Sequence, residues 1–581
     1  MEFRYQNVNV TDGNESALLH FETADGRDAH VLLDAGSGVD IDQHLGQEEY
    51  LNAICLTHAH IDHYRSLGHN LKHSASIYTS PDTADILERA LPAAAQHNTM
   101  GDTDAVREAL TPIEDWTPIL DTVDVRPVPA GHAPGATGFL FRFRDETLEG
   151  ELSPTTKYVL ATGDFTIRPC AGYPGLATSF PNEVDALILN VATADRFEEH
   201  LNDALETILE RAYAGSRVVV AAGALTGVHV ATLLGTLVDR IGRRLTTRLV
   251  GQAAKHYDQL GYDVANVETV QTFSSPEEVL DAGTVTIGGP DTAATGSTER
   301  LLAAVGDDPG AAFIQLTADE SDAVSTATRT TYQRPVMNHP SEEELVGLVD
   351  ALIPQHVVVK HTAGTRLNHF QREFEKCFTW GTDDEHRHQL YADGEWEPPG
   401  WVSDNTVDRI TSAHLEAKRE VSLEMGGSFG SLTHGDIDLV AEGVDVDRFT
   451  DEFNGIEKPP DPKPETMTAE VTNGGTAVAE MSTEKPESSG TSSECSSAEV
   501  KAETETVDPL TPDDILARLD AIESRLDAVE TEIETETESA VTARVLSGGP
   551  GETFLRILGE SDLEPGEIVE IQISRSTPDS A

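Results

Sequence analysis

Residues 53–63 constrain the fold of this chain more than any other segment, because an apolar run ends there in a dense cluster of metal-ligating side chains. The run Ala53–Leu56 is typical of a buried strand, and three histidines and one aspartate follow within six residues: His58, His60, Asp62 and His63. Side chains two apart on an extended segment share a face, so His58 and His60 can hold one ion. Asp62 and His63 open the next helix and supply a second ligand set, as two ions about 3.5–4 Å apart require. The pattern predicts a dinuclear metal site.

Further candidate ligands follow later strands. His132 comes after the predicted strand 123–128, Asp164 after 158–161, and His361 after the apolar run that ends at Lys360. A single His or Asp at such a position is more often a solvated loop residue than a ligand. Open α/β sheets, however, place their sites at the carboxyl ends of strands, and the repetition of this placement favours one shared site.

The motif His58-x-His60-x-Asp62-His63 resembles the signature of the metallo-β-lactamase superfamily, and Asp34, His132 and Asp164 match its other motifs. The chain also resembles the β-CASP branch, nucleases of RNA processing and DNA repair that carry an inserted lobe and take their last ligand after it. The resemblance implies an α/β fold, an αββα sandwich with an inserted β-CASP-like α/β lobe.

The resemblance also implies roles for these residues. One ion would be held by His58, His60 and His132. The other would be held by Asp62, His63 and His361, with Asp164 bridging the two ions. Asp62, Asp164 and His339 would be the catalytic residues, with His339 at the scissile phosphate, and Asp34 and Asn190 would stand behind the ligands. The implied cofactors are two divalent ions, with Zn²⁺ favoured and Mn²⁺ the alternative, since imidazole and carboxylate suit several metals.

The implied activity is hydrolysis of phosphodiesters, with single-stranded RNA the favoured partner and DNA the alternative. Two departures from the branch leave other functions open. Asn190 stands where the branch has an acidic residue, and losing a group that orients a ligand typically costs 10–100-fold in metal affinity or activity. Residues 317–322 replace an expected Gly-Thr-x-Gly-Arg element. The alternatives are a weakly active or non-catalytic subunit of an RNA-processing assembly, and a small-molecule ester hydrolase such as a thioesterase or lactonase.

The alternation of strand and helix patterns predicts the domain organisation, and within it an amphipathic helix over Phe197–Tyr213 and a helix over Val230–Ile241. We expect a first part of the catalytic lobe, an insert, the return of the catalytic lobe, a helical extension, a disordered linker, an amphipathic helix and a β-rich tail, at 1–195, 196–330, 331–400, 401–455, 456–510, 511–537 and 540–575. Apolar residues between Ile515 and Ile533 recur at heptad spacing, which favours a homo-oligomer. The alternative is one amphipathic helix that packs on its own chain.

The composition indicates the habitat of the source organism rather than the binding partners of the protein. The chain has 40 basic and 102 acidic residues, a net charge of −62, yet 38% of its residues are hydrophobic. A core with such a charge suits molar salt, where the Debye length shrinks to about 3 Å. We expect a cytoplasmic protein of an extreme halophile, with no membrane segment and with reduced thiols at its four cysteines. An acidic mesophilic protein or a chaperone of basic partners is the alternative.

Overall fold

The computed structural model describes residues 1–9, 16–145, 155–317, 330–362, 364–381, 385–421, 427–453, 543–547 and 553–557. The chain divides into two compact units, Met1–Pro464 and Glu465–Ala581. The predicted linker 456–510 and amphipathic helix 511–537 lie outside the described residues. Among the helices that the structure does describe, none has both the length and the apolar character that a bilayer span requires.

The first part of the larger unit is mostly strands, with short helices between them. Its strands are β1 Glu2–Asn7, β2 Ala17–Glu22, β3 Asp28–Leu33, β4 Leu51–Cys55, β5 Ser76–Thr79, β6 Leu110–Pro112, β7 Thr117–Leu120, β8 Val123–Pro129, β9 Thr137–Asp145, β10 Thr155–Ala161 and β11 Ala186–Asn190. Its helices are α1 Ile61–Tyr64, α2 Leu67–Asn70, α3 Pro81–Ala94 and α4 Thr103–Ala109. The strands predicted before His132 and Asp164 are β8 and β10.

The insert is an α/β segment that follows β11 and forms a sheet of its own. Its helices are α5 Phe197–Tyr213, α6 Ala224–Arg240, α7 Gln252–Gln259 and α8 Gly296–Ala304, and its strands are β12 Arg217–Ala221, β13 Thr247–Val250, β14 Val267–Val270, β15 Thr284–Gly288, β16 Ala312–Thr317 and β17 Thr330–Pro335. The six strands pair in the order β14-β13-β15-β12-β16-β17, and all the pairs are parallel. Because β17 pairs with β16, this sheet extends to Pro335, beyond the boundary expected at residue 330.

The chain then returns to the first lobe. The returning elements are α9 Glu342–Leu352, β18 His356–Lys360, α10 Gly364–Glu373, β19 Phe378–Trp380, β20 His388–Ala392 and β21 Glu395–Trp396, followed by α11 Asp404–Val421 and α12 Val446–Phe453. One sheet has the order β21-β20-β1-β2-β3-β4-β5-β6, and the second has the order β19-β18-β11-β10-β9-β8-β7. Both sheets are therefore completed by strands that follow the insert.

The two sheets share an apolar core. Phe3 and Phe21 come from the first sheet and Phe141 and Phe143 from the second, and all four are fully buried in one cluster. The ring centroids of Phe3 and Phe143 lie 5.9 Å apart. A second cluster contains residues from α3, α5 and α6. Apolar side chains from both sheets thus build a sandwich, and its strand ends carry the predicted ligands.

The smaller unit contains one described hairpin. Its strands are β22 Ala543–Ser547 and β23 Thr553–Ile557, which pair antiparallel. Both strands fall inside the tail that the sequence predicts to be β-rich.

Candidate metal centre

The histidine cluster lies where β4 ends and α1 begins. His58 follows β4 and is fully buried, and His63, inside α1, is 1% exposed. The backbone at His60 is extended, with φ −82° and ψ 143°, so the chain leaves the strand before it turns into the helix. Residues 58 and 60 therefore project along one side, as the alternation of an extended segment requires.

Three imidazoles converge at the first group. Nε2 of His58 lies 3.0 Å from Nδ1 of His60, and Nε2 of His132 lies 3.1 Å from the same atom. The nitrogens of a tetrahedral zinc site, each about 2.0–2.1 Å from the ion, stand roughly 3.3 Å apart. This spacing, in a group whose candidate ligand atoms all lie within 4.8 Å of one another, fits a shared cation.

In two of these imidazoles, the nitrogen that faces away from the group forms a hydrogen bond. The lone pair of the other ring nitrogen is therefore directed into the group. His132 donates from Nδ1 to the carbonyl oxygen of Asn338 at 2.8 Å, so its Nε2 is the free acceptor. Thr57 gives its hydroxyl proton to Asp34 and can accept from Nδ1 of His58 at 3.0 Å. Such outer partners fix the tautomer of a metal-binding histidine.

Asp34 organises the ligand loop. Its carboxylate accepts from the Thr57 amide at 2.8 Å, from the Thr57 hydroxyl at 2.9 Å and from Nδ1 of His63 at 2.9 Å. Asp34 itself has a φ of 54°, in the left-handed region. It follows β3 directly, and this unusual backbone turns its side chain toward the loop after β4.

A second group contains His58, His63 and Asp164, whose candidate ligand atoms lie within 4.8 Å of one another. Nε2 of His63 is 3.5 Å from Oδ2 of Asp164 and 3.7 Å from Oδ2 of Asp62. The same Asp164 oxygen is 3.7 Å from Nε2 of His132, so it faces both groups. Nε2 of His63 is buried and has no hydrogen-bond partner among the described residues. A buried polar atom without a partner fits a place that a metal ion fills.

His63 and Asp164, in this second group, shift each other's pKa values. Burial opposes protonation of His63, but the carboxylates of Asp164, Asp34 and Asp62 outweigh it and raise the pKa of His63 well above its usual value. Burial also opposes ionisation of Asp164, but His63 outweighs it and lowers the pKa of Asp164 well below its usual value. An ion that binds here must displace a proton, as metal ions commonly do at histidine sites.

Asn190, where the resemblance to the β-CASP branch predicts an acidic residue, is hydrogen-bonded to Asp164. The Asn190 amide group donates to Oδ1 of Asp164, and its own carbonyl oxygen accepts from the Ala192 amide at 2.9 Å. The two bonds fix the orientation of the amide. Gly163, with a φ of 57°, lets this segment approach the loop closely, since a Cβ there would lie 2.6 Å from Cγ2 of Thr57.

We expect Asn190→Asp to place two carboxylates side by side. Without added metal, the unfolding temperature should fall by about 2–4 °C, because a like charge replaces a donor. A divalent ion neutralises the pair, so the rise on adding Zn²⁺ should be larger than for the unchanged protein. Differential scanning calorimetry with and without Zn²⁺ measures both effects, and Asn405→Asp, at an exposed position of α11, is the control. Equal metal-induced rises in all three proteins would contradict the role of Asn190.

His339 lies beside the first group, and His361 joins neither group. The ring of His339 is 4.7 Å from that of His132, and His339 forms a third group with His132 and Asp164. Burial, and then His132, lowers the pKa of His339 to about 3. His361 follows β18, is exposed and has a φ of 61°. It belongs to none of the His/Asp groups found among the described residues.

Three residues at this site were not predicted from the sequence. Thr57 connects Asp34 to His58. Arg168 donates to the His339 carbonyl oxygen at 2.8 Å and to both carboxylate oxygens of Glu344, at 2.9 and 3.1 Å. Glu344 also forms a capping box with Ser341 at the start of α9. The Ser-x-x-Glu spacing was a usable signal for the cap, whereas the contact with Arg168 spans 176 residues and leaves no local pattern.

Another histidine group, His20, Asp28 and His30, does not suit a cation. Arg4 lies 3.1 Å from Nδ1 of His20 and can only donate, so that nitrogen is an acceptor and the proton is on Nε2. Burial, His30 and Arg4 lower the pKa of His20 to about 4. A ring whose Nε2 carries its proton, next to a guanidinium, offers no lone pair to an ion.

The metal groups open into a cleft of about 420 Å³. One wall contains His60, Asp164 and His339, and the other contains Thr226 and His229 of α6. Residues of α6, in the insert, thus line the cleft together with the candidate ligands.

Comparison with known proteins relates one part of the chain to a described family. Residues 30–164 match the family described as Beta-lactamase superfamily domain. No curated protein matches the chain. Among solved structures, a similar one is the crystal structure of a protein of unknown function from Enterococcus faecalis V583, with 15% identity, a TM-score of 0.46, and coverage of 67% of this chain and 100% of that chain. The matched range contains Asp34, His58, His63, His132 and Asp164, so this part of the chain is similar to a β-lactamase superfamily domain.

Proposed function

We propose that this protein is a metal-dependent nuclease that cleaves phosphodiester bonds, with single-stranded RNA as its substrate. The superfamily domain and the His/Asp groups fit a metal-dependent hydrolase. The observation that carries the step to a nuclease is the cleft, in which the groups face an inserted α/β lobe across an open space. This arrangement is the one expected of the β-CASP nucleases.

The ligand set would be His58, His60, His63, His132 and Asp164, with Asp62 beside His63. His361, next to β18, is the further ligand that the resemblance implies. Divalent ions held by these residues would supply Lewis-acid chemistry, activating a water molecule and neutralising charge on the phosphate. The chain's own contribution is orientation: Asp34, Thr57 and the Asn338 carbonyl fix three of the imidazoles.

Recognition of the phosphate would depend on α6. Gly223, Leu225 and Thr226, at the start of this 17-residue helix, line the cleft, and Gly223 provides no side-chain cap. The amino end of a helix carries partial positive charge and uncapped N–H groups, which favour phosphate. Among the described residues that line the cleft there is no lysine or arginine. The helix end therefore compensates for the arginine-bearing element that the sequence lacks.

His339 would contact the scissile phosphate as a neutral imidazole. Its low pKa makes it a hydrogen-bond partner of the substrate rather than a proton donor at neutral pH. Arg168 and Glu344 hold the backbone of this residue in place.

Cleavage of a 5′-labelled single-stranded RNA by the full chain in molar KCl, with the bound metal quantified, tests the proposal. A product ladder or released mononucleotides, dependent on metal, would support it and show the polarity. Two bound ions with no RNA product, but with turnover of a thioester or lactone, would favour the small-molecule hydrolase. Two bound ions with no turnover of any of these would favour the non-catalytic subunit.

We expect Arg168→Lys to lower the RNA cleavage rate about tenfold while the metal content stays the same. A lysine cannot reproduce the fork that bonds Glu344 and the His339 carbonyl together, so the His339 loop loses its position. Rates and metal content are measured beside Arg107→Lys, a partly exposed arginine of α4. Loss of metal, or an unchanged rate, would show that Arg168 does not act through His339.

A further inference from the structure

Residues 427–453, which we call the strap, contact both the insert and the lobe that carries the metal groups. At the start of the strap, the guanidinium of Arg126 lies over the ring of Phe429, 4.3 Å from its centroid. The ring of Trp116 packs edge-on against the same phenylalanine, with 6.0 Å between the centroids. Arg126 belongs to β8 and Trp116 directly precedes β7. This end of the strap therefore lies on the metal-bearing lobe.

The other end of the strap lies on helix α5 of the insert. Nδ2 of Asn202 donates to the Gly443 carbonyl oxygen at 2.8 Å, and Oδ1 of Asn202 accepts from the Asp445 amide at 2.8 Å. Arg448, in α12, forms an ion pair with Asp203 at 3.1 Å. Both Asn202 and Asp203 belong to α5, so the strap extends from one lobe to the other.

Glu442, within the strap, bonds both lobes through one carboxylate. It is fully buried, and its oxygens accept from the Ala171 amide at 2.7 Å and the Gly172 amide at 3.0 Å, in the loop after Asp164. Nε2 of His229, in α6 of the insert, lies 2.9 Å from Oε2 of the same carboxylate. Because an ionised carboxylate only accepts, His229 is the donor.

Two further bonds near Glu442 repeat this bridging. The Gly435 amide donates to the Gly172 carbonyl oxygen at 2.9 Å, on the metal-bearing lobe. A Cβ at Gly172 would lie 2.5 Å from the carbonyl oxygen of Gly435, so this close approach requires glycine. Nε2 of His434 lies 2.9 Å from the carbonyl oxygen of Leu260, in the insert, and the His434 ring stacks on Tyr262 with 4.2 Å between centroids.

The parts that the strap joins line the same cleft. His60 and His339 line it from the metal-bearing lobe and His229 from the insert, whereas Glu442 is not among the described residues that line it. The volume of about 420 Å³ falls within the range of about 300–1,000 Å³ that small ligands fill. A nucleotide is of that size and a base-paired stretch is larger. The separation of the two lobes therefore decides what can enter.

We propose that the strap holds the insert at a fixed distance from the metal groups, and that Glu442 is the positioning residue that sets the width of the cleft. At this width the cleft admits one strand of RNA and excludes a duplex, a consequence that rests on the proposed nuclease function. Without the bonds of Glu442, α6 moves away from His60 and His339. The cleft then loses its selection against duplex RNA and holds a single strand less tightly.

A distance between spin labels on the two sides of the cleft measures its width. Asp62 and Asp291 line the cleft from the two lobes, and the exposed residues Arg65 and Thr292 close to them can be replaced by cysteine and labelled. A Cys495→Ser background leaves only the three buried native cysteines. Pulsed electron paramagnetic resonance on the full chain then gives the distribution of distances.

We expect Glu442→Gln to shift this distribution to longer distances and to broaden it. Glu416→Gln, at an exposed position of α11, is the control and should change neither. His229→Leu should reproduce the shift, because it removes the donor on the insert. His229→Gln should shift the distances less, because its amide can still donate to Glu442. If Glu442→Gln does not fold, His229→Leu carries the test.

Cleavage of two RNA substrates tests the selection of substrate. The value of kcat/KM is measured for a 5′-labelled single strand and for the same strand annealed to its complement. In Glu442→Gln the preference for the single strand should fall about tenfold, a loss expected when a wall of the site is misplaced. The metal content should stay the same, and Glu416→Gln should keep the full preference.

Unchanged distances in both Glu442→Gln and His229→Leu would overturn the proposal. Longer distances with an unchanged preference between the two RNA substrates would overturn the role of Glu442 in selection. The distance measurement uses neither metal nor RNA. A protein that cleaves no RNA would therefore refute the proposed nuclease and the selection that rests on it, while the distances would still decide whether the strap sets the width of the cleft.

Discussion

Replacing His58 with alanine is expected to abolish RNA cleavage, with a loss of about 10³-fold or more. His58 belongs to both groups of candidate ligands, with His60 and His132 on one side and with His63 and Asp164 on the other. Removing it therefore weakens both positions, and the Lewis-acid chemistry of a bound ion contributes several kcal/mol to the barrier. Metal content, measured by mass spectrometry of the purified protein, should fall from two ions per chain to one or fewer.

The matched control is His69→Ala. His69 lies in α2, six residues after His63 and exposed to solvent, so its loss should change neither metal content nor cleavage. Circular dichroism should be the same for both variants and the unchanged protein. A folded His58→Ala protein that keeps two ions and normal cleavage would refute the ligand assignment.

Asp34→Asn should weaken metal binding 10–100-fold without removing any ligand. The carboxylate accepts from Thr57 and from Nδ1 of His63, and through the Thr57 hydroxyl it orients His58. An amide at this position turns a donor toward one of these groups, so a histidine loses the tautomer that presents its lone pair. Losses of this size are typical when the outer partner of a ligand is removed.

Competition with a calibrated zinc chelator measures this affinity. Asp104→Asn, an 89% exposed aspartate in the first turn of α4, is the control and should bind metal normally. Thr57→Val should reproduce part of the loss, because it removes the link to His58 and leaves the bond between Asp34 and His63. Normal affinity in both Asp34→Asn and Thr57→Val would show that the ligands need no such support.

The sequence predicted the elements with strong periodicity and missed the ones that lack it. The bounds of α5 agree with the prediction, Phe197–Tyr213, because one face is buried and the other is charged. The predicted start of α6, Val230, is too late, since the helix begins at Ala224 and is buried on nearly all sides, which removes the amphipathic signal. The inserted sheet ends at Pro335, beyond the predicted boundary at residue 330. Tertiary pairing between β16 and β17 determines this end, and the sequence carries no local signal for it.

The same distinction applies to the site. The local spacing of His58, His60 and His63 was visible, and so were single residues at strand ends. Contacts between distant segments were not, such as Arg168 with Glu344 or His229 with Glu442, which lies 213 residues away. Residue identity alone does not tell which of many glutamates is buried against which histidine. These pairs follow from how the lobes pack.

The strands that close the sandwich have a consequence for synthesis of the chain. β1 pairs with β20 and β11 with β18, so a ribosome that has made only the first 195 residues has produced two sheets with open edges. The inserted sheet, by contrast, draws all its strands from one stretch, 217–335. The strands of the inserted sheet can therefore pair with one another before β18–β21, which complete the surrounding sandwich, have been synthesised. Exposed sheet edges invite pairing with other chains, so the nascent polypeptide is most vulnerable to aggregation until residue 396 has emerged.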